Sequence, residues 1–382
     1  MSGLAAVLAT QPQLQAVATA AQAFGLPPRV LLHAGPPLAD PLSPPPVLWS
    51  SALLTCVHEG WASDLDGTEA LLRSGAVAWQ PAQAWGCVVP LAFVVSAGTP
   101  LFEVGDGAGA RMHAPVSAVR GPDTRMGSRD LAVLPRLARR DACIAPAWQT
   151  ALAARGPLPL LPLAALGLAG GDDLHSRTAA ANAELTAWLR QAGEGAVADD
   201  VAATPLFFLT LWMAASALML RAAELAPDAR SLVTRAGGNG QQFGIALAGA
   251  PEDWCVVAAE PPAGKRLAGA PEALVCGAIG DSAVIDLYGC GGQALAGAAE
   301  PLLAFEGFVP ADHARLAGRL MAAPHPVLRR PVALDASRVC AAGLTPLVAL
   351  AMIAADGRAG FAGRGLYRPP LDLFERALAA LG

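Results

Sequence analysis

Asp281-Ser-Ala-Val-Ile-Asp-Leu-Tyr-Gly-Cys-Gly-Gly-Gln-Ala294 is the stretch whose reading decides the fold. Ala283 to Tyr288 has the β-branched and aromatic content of a buried strand. Gly289, Gly291 and Gly292 follow at once, and an alanine-rich helix is expected from Gln293. A strand that enters a glycine turn and then a helix N-terminus is an anion site in waiting. Glycine lets the backbone approach a ligand, and the free N–H groups and helix dipole favour negative charge. The anion is left open at this point: a dinucleotide, a phosphate, a carboxylate, or none.

The surrounding chain narrows the choice. Gly289-Cys-Gly-Gly-Gln-Ala294 fits the dinucleotide pattern G-x-G-x-x-G/A, and Glu306 stands 17 residues after Gly289. Pro301, however, leaves a helix of only about two turns. No long crossover fits before Glu306, so a nicotinamide cofactor is the less favoured ligand. No Gly-Lys-Ser/Thr, G-x-S-x-G or H-E-x-x-H is present.

Outward from this turn, an α+β fold is expected, with two α/β segments flanking a helical middle: residues 1–147, 148–230 and 231–382. Helices are expected over 1–25, 50–61, 66–74, 129–140, 172–191, 204–226, 312–321, 346–355 and 371–381. Strands are expected near 30–32, 77–79, 91–96, 101–104, 243–248, 254–258 and 283–288. Residues 118–127 read as irregular, and 360–370 as a Gly/Pro loop. Residues 201–220 carry no charge and match the length of a membrane span. Alone in mid-chain, they read as a buried central helix instead.

Composition excludes several classes. The 382 residues include 54% hydrophobic and only 15% charged residues, with a net charge of −5. No basic run is present, which argues against nucleic acid. The seven cysteines are scattered, with no CxxC and no Cys/His cluster, so neither a zinc site nor a disulfide framework is expected. They fit buried thiols of a cytoplasmic protein, and the N-terminus lacks the marks of a signal peptide. The low charge fits burial against partner subunits, a homo-oligomer included. It also fits the bias of a GC-rich genome, since one lysine stands among 26 basic residues.

Polar clusters carry the chemistry. Gly170-Gly-Asp-Asp-Leu-His-Ser-Arg177 gathers Asp173, His175 and Arg177 at an expected helix N-terminus. There His175 is either a proton carrier and Arg177 an anion clamp, or both belong to a solvated first turn. Arg235 to Gly244 offers Asn239 and Gln242 to a planar amide or carboxylate, or is an ordinary hairpin. Arg364 and Arg368 either meet an anion or are solvated. His33 with His58-Glu59 reads as structural.

Together these segments resemble one family. Leu32-His-Ala-Gly-Pro-Pro37, Glu59-Gly-Trp-Ala62, Gly171-Asp-Asp-Leu-His175, Gly240 with Gln242-Phe-Gly-Ile245, Gly280-Asp-Ser-Ala283, Gly289-x-Gly-Gly292, Gly343-Leu-Thr-Pro346, and Gly363-x-Gly365 to Arg368-x-Pro370 occur in the family's order. From about residue 30 to the C-terminus the chain is similar to the AllG/YlbE-type subunits of bacterial oxamate carbamoyltransferase. The resemblance implies an α+β chain with a helical insert. It implies a complex with an FdrA-type subunit and a third small subunit, and no metal or cofactor. The implied reaction converts oxalurate and phosphate to oxamate and carbamoyl phosphate, which a carbamate kinase would then use. His175, Arg177 and Asp173 become the catalytic candidates. Asn239, Gln242, Asp281, Ser282, Gly289, Gly291, Gly292, Arg364 and Arg368 become the substrate-binding ones. In this reading the glycine turn holds phosphate or the tetrahedral oxyanion.

Two departures from the family stand out. Trp79-Gln-Pro-Ala-Gln-Ala-Trp-Gly-Cys87 replaces a His- and Gly-rich stretch, and the glutamate usual after Asp-Ser is shortened to Asp286 or lost. They point to a different substrate or an inactive copy. The alternatives to a catalytic subunit are a non-catalytic scaffold or ligand-binding subunit and, on the G-x-G-x-x-A match alone, a nucleotide-binding oxidoreductase.

Overall fold

The computed structural model describes residues 2–119, 121–270 and 272–382. Arg120, inside the irregular stretch expected at 118–127, lies outside them. The fold is α+β, with helices spread among several small sheets.

The decisive stretch takes a different form from the one expected. Ala283–Tyr288 is a helix, not a strand. All six residues are buried, so neither a two-residue nor a 3.6-residue period shows in the sequence. A short apolar run without a period does not distinguish strand from helix. The strand comes just before it: Ile279–Gly280 pairs antiparallel with Asn239 and Gly238. Asp281 and Ser282 therefore form the turn into the helix, and the glycines end it.

Two four-stranded sheets carry most of the pairing. One runs in the order Arg111–Pro115, Pro100–Gly105, Gln13–Thr19, Leu158–Pro159. The other runs Ile279–Gly280, Val233–Asn239, Gln242–Leu247, Ala250–Ala258. A parallel pair, Val30–His33 with Ala78–Pro81, is joined through the helices Pro46–His58 and Leu65–Arg73. A parallel connection needs such a crossover.

Other expectations change for the same kind of reason. Residues 1–25 are not one helix: Gly3–Ala9 and Ala20–Phe24 flank the strand Gln13–Thr19, which is paired on both edges. The helix expected over 346–355 is the strand Val348–Ile353, paired with Phe361–Tyr367 in what read as a Gly/Pro loop. Long-range pairing overrides the helix-forming Ala, Leu and Met of that strand. Residues 91–96 form no strand beyond a bridge from Val95 to Leu32. The helix expected from 172 begins at Ala179.

The helix Phe207–Arg221 is the axis of the main core. Every residue from Phe207 to Leu220 is buried. Burying each large apolar side chain is worth about 1.5–3 kcal/mol, so this helix anchors what surrounds it. Trp148 and Phe207 stack at one end with Phe102 edge-on to both, and Trp212 meets Tyr288 edge-on. Among the described residues, the helical run Phe207–Leu225 is long and apolar enough to cross a membrane, and 78% of its most apolar window is buried inside the protein. The largest apolar cluster draws on all three stretches expected from sequence, from Val7 through Trp148 and Phe208 to Phe374.

Candidate functional site

The site begins in the loop between the helices Leu160–Ala169 and Ala179–Gln191. Asp173 is fully buried there and gathers the loop around itself. Its Oδ1 accepts from the His175 N–H at 3.1 Å and the Arg177 N–H at 2.7 Å, and its Oδ2 accepts from the Ser176 hydroxyl. Burial holds the Asp173 carboxyl above its ordinary range despite these donors. Leu174 sits at φ 67°, a left-handed conformation that is unusual for leucine. Strain of this kind persists only where surrounding contacts impose it. Asp172 caps the next helix from a distance: its Oδ2 accepts the N–H groups of Ala180 and Ala181, each at 2.9 Å.

His175 is thereby aimed at a second segment. Its Nδ1 lies 2.7 Å from Asp286 Oδ2, and Asp286 is fully buried. The other carboxylate oxygen, Oδ1, accepts the Gly292 N–H at 2.7 Å and the Ala349 N–H at 3.0 Å. Burial works to lower the His175 pKa. The Asp286 charge and hydrogen bond, with the Asp173 charge, outweigh it and hold the ring above its ordinary 6.5. With Nδ1 engaged, Nε2 is the ring nitrogen left for a ligand.

The glycine turn does hold an anion, and the anion belongs to the chain itself. Gly292 donates to Asp286, Gly291 donates to the Asp173 carbonyl at 2.7 Å, and Gly289 donates to Asp286 O and Ile285 O. Gly291 lies at φ 52°, and a Cβ there would sit 2.2 Å from Asp286 Oδ1. Only glycine admits the carboxylate so close. Arg330 closes the turn from outside through Gly289 O at 2.7 Å and Gln293 O at 2.8 Å.

His175 also lines a cavity of about 230 Å3. Its walls come from Pro90 and Leu91, Arg125 and Met126, the 204–209 segment leading into the central helix, Ser282, and the paired strands Val348–Ile353 and Phe361–Tyr367. Leu91 is a second left-handed leucine, at φ 48°. Two arginines, Arg125 and Arg364, line this space. Neither forms a side-chain hydrogen bond or ion pair with any described residue, and the buried Nε of Arg125 has no partner. Ser176 and Ser282 add hydroxyls to the lining.

The sequence-derived candidates divide accordingly. His175, Ser282 and Arg364 line the cavity, and Asp173 sets the His175 loop. Arg177 is committed elsewhere: it pairs with Asp172, donates to Glu300 at 2.8 Å, and reaches Gly170 O at 3.2 Å. Arg368 is exposed and donates to Thr345 Oγ1 at 3.2 Å. Asn239 is a buried turn residue, giving its amide N–H to Pro36 O and accepting from Gln241 and Gln242 N–H. Gln242 opens a strand. Asp281 ties three segments together by accepting from Gly35 N at 2.8 Å, Gln83 Nε2 at 2.6 Å and Val89 N at 2.8 Å. The 79–87 stretch that departs from the family thus reaches Asp281 through Gln83. His33, His58 and Glu59 do not converge: His58 pairs with Asp141, and Glu59 accepts from Ser96 and Gly98.

Sequence reasoning passed over Arg125, Ser176 and Asp286 as site residues. Arg125 lies in an irregular stretch that carries no spacing signal. Asp286 carried one: a lone acid in an otherwise apolar run of six is expected to have a dedicated partner.

Comparison with known proteins supplies the relatives. The model of the family described as oxamate carbamoyltransferase subunit AllG matches residues 77–282. The oxamate carbamoyltransferase subunit AllG of Escherichia coli (strain K12) is 30% identical, over 92% of this chain and 89% of that protein. The uncharacterized protein YahG of the same organism is 28% identical, over 93% of this chain and 79% of its own length. The same fold occurs in a conserved Enterococcus faecalis V583 protein of unknown function, with a TM-score of 0.90 at 23% identity, covering 100% of this chain and 96% of the other. With more than half of its length matched by the family model and nine-tenths aligned to a named member, the chain belongs to the AllG family of oxamate carbamoyltransferase subunits.

Proposed function

We propose that this chain is the subunit of a carbamoyltransferase complex that supplies the proton-transfer group and the anion-holding arginines. In the simplest case phosphate attacks the carbamoyl carbon of oxalurate. A C–O bond to phosphate forms, the C–N bond to oxamate breaks, and the leaving amide nitrogen takes a proton. The observation that carries this reading is His175, paired with Asp286 at 2.7 Å, on the wall of a cavity that also takes in Arg125 and Arg364, neither paired through its side chain among the described residues. Asp286 holds the ring above its ordinary pKa, which favours the protonated form that donates from Nε2. Arg125 and Arg364 then hold the substrate carboxylate and the phosphate, whose charges would otherwise repel each other. Ser282 offers a hydrogen bond to the tetrahedral oxyanion.

The glycine turn, first read as the phosphate cradle, is better understood as the seat of Asp286. Arg177 is better understood as a strut between the His175 loop and Glu300. The partners in this reading are an FdrA-type subunit and a third small subunit, and the setting is cytoplasmic.

The test is reconstitution. The purified complex, given oxalurate and phosphate, is expected to form carbamoyl phosphate. His175→Ala in this chain is expected to lower turnover by about 10²–10⁴-fold. Unchanged turnover in that variant would remove the chain from the chemistry and favour a scaffold role.

A further inference from the structure

The cavity is much more apolar than oxalurate, the simplest substrate of the proposed reaction, requires. Eleven of its seventeen lining residues are apolar, Leu206, Leu209, Phe305, Leu350 and Phe361 among them. Oxalurate has no CH group: each of its carbons is a carbonyl or carboxyl carbon, and every other heavy atom is nitrogen or oxygen. Against such walls, its amides and carbonyls would give up water without gaining partners. The charged part of the lining is small by comparison: Arg125, Arg364 and the His175 ring.

From this contrast we infer that the ligand is a ureido acid with a hydrocarbon side chain, of the N-carbamoyl amino acid class. The inference rests on the carbamoyl-transfer reading for its ureido group and on the walls for its side chain. One guanidinium takes the carboxylate and the other takes phosphate. The carbamoyl group faces His175, and the side chain fills the space lined by leucine and phenylalanine. Transfer would then break the bond between the carbamoyl carbon and the amino acid nitrogen. That nitrogen would gain a proton, and the carbamoyl group would pass to phosphate.

Calorimetric titration of the full chain, with inorganic phosphate held constant, tests this. The probes are N-carbamoyl-glycine, -L-alanine, -L-valine and -L-leucine, with oxalurate alongside. The dissociation constant is expected to fall about four-fold for each added methylene, the factor that corresponds to ~0.8 kcal/mol per buried CH2. Oxalurate is expected to bind no more tightly than N-carbamoyl-glycine. Leu206→Gln, at a half-buried wall position, is expected to flatten the series. A flat or inverted series, tighter binding of oxalurate than of the apolar members, or no binding by any probe would overturn the inference. Graded binding without carbamoyl phosphate formation by the complex would overturn the transfer reading and leave the ligand class standing.

Discussion

Asp286 and His175 are 111 residues apart in sequence, yet a carboxylate oxygen of one lies 2.7 Å from Nδ1 of the other. The Asp286 charge opposes the effect of burial and keeps the imidazole above its ordinary pKa of 6.5. A group raised in the folded state contributes stability in full below its unfolded pKa, and loses that contribution as pH rises through the folded value. Urea midpoints of the wild type are therefore expected to decline from about pH 6.5 upward relative to His175→Gln. Parallel pH profiles for the two proteins would mean that the pair does not carry the charge assigned to it.

Asp281 adds a second pH dependence of the same sign in a different window. Burial pushes its carboxyl up to about 7, against the pull of Gly35, Gln83 and Val89. The folded chain thus binds a proton that the unfolded chain has released, from about pH 4 to 7. Stability is expected to fall across that window as pH rises. Asp281→Asn is expected to remove this part of the slope, and a slope of the same size in the variant would contradict the assignment.

Gly291 admits the Asp286 carboxylate where a Cβ would stand 2.2 Å from it. Gly291→Ala is expected to cost about 2–4 kcal/mol in denaturant unfolding. Gly297 serves as the control, since a methyl group there would meet nothing within 4 Å. Its alanine variant is expected to stay within about 0.5 kcal/mol of the parent.

The two kinds of arginine are expected to separate cleanly. Arg364 has no partner among the described residues to lose, so Arg364→Ala is expected to leave stability nearly unchanged. It is expected to weaken binding of N-carbamoyl-L-leucine by about 10–100-fold, the loss of one charged hydrogen-bonding group. Arg177 braces the buried Asp172, and Arg177→Ala is expected to cost about 1–3 kcal/mol of stability while leaving that affinity within about two-fold. Paired melts and titrations of the two variants decide the matter.

Much of the fold was legible where the sequence carries a period or a break. The strand at 243–248, the helix at 371–381 and the central apolar helix all appear close to where the pattern puts them. Residues 283–288 and 348–353 were not legible as helix and strand, because near-complete burial erases the alternation that separates the two. In the site, His175, Ser282 and Arg364 stood out as polar groups beside turns or glycines. Arg125 did not, because its place is set by folding rather than by spacing: the buried Asp123 accepts the Thr124 N–H at 2.7 Å, in the turn just before it. Arg177 misled because a guanidinium beside a histidine looks the same in sequence whether it serves a ligand or a neighbouring carboxylate.

The glycine turn spends its donors inside the chain, on the Asp286 carboxylate and on the carbonyls of Asp173, Ile285 and Asp286, before any ligand arrives. A backbone nest left empty would have to shed water and settle around each incoming anion. Here that step is completed once, during folding, and the dipoles around His175 are already set when substrate enters. The cost of reorganising the site then falls on the folding of the chain and is not repeated in every turnover.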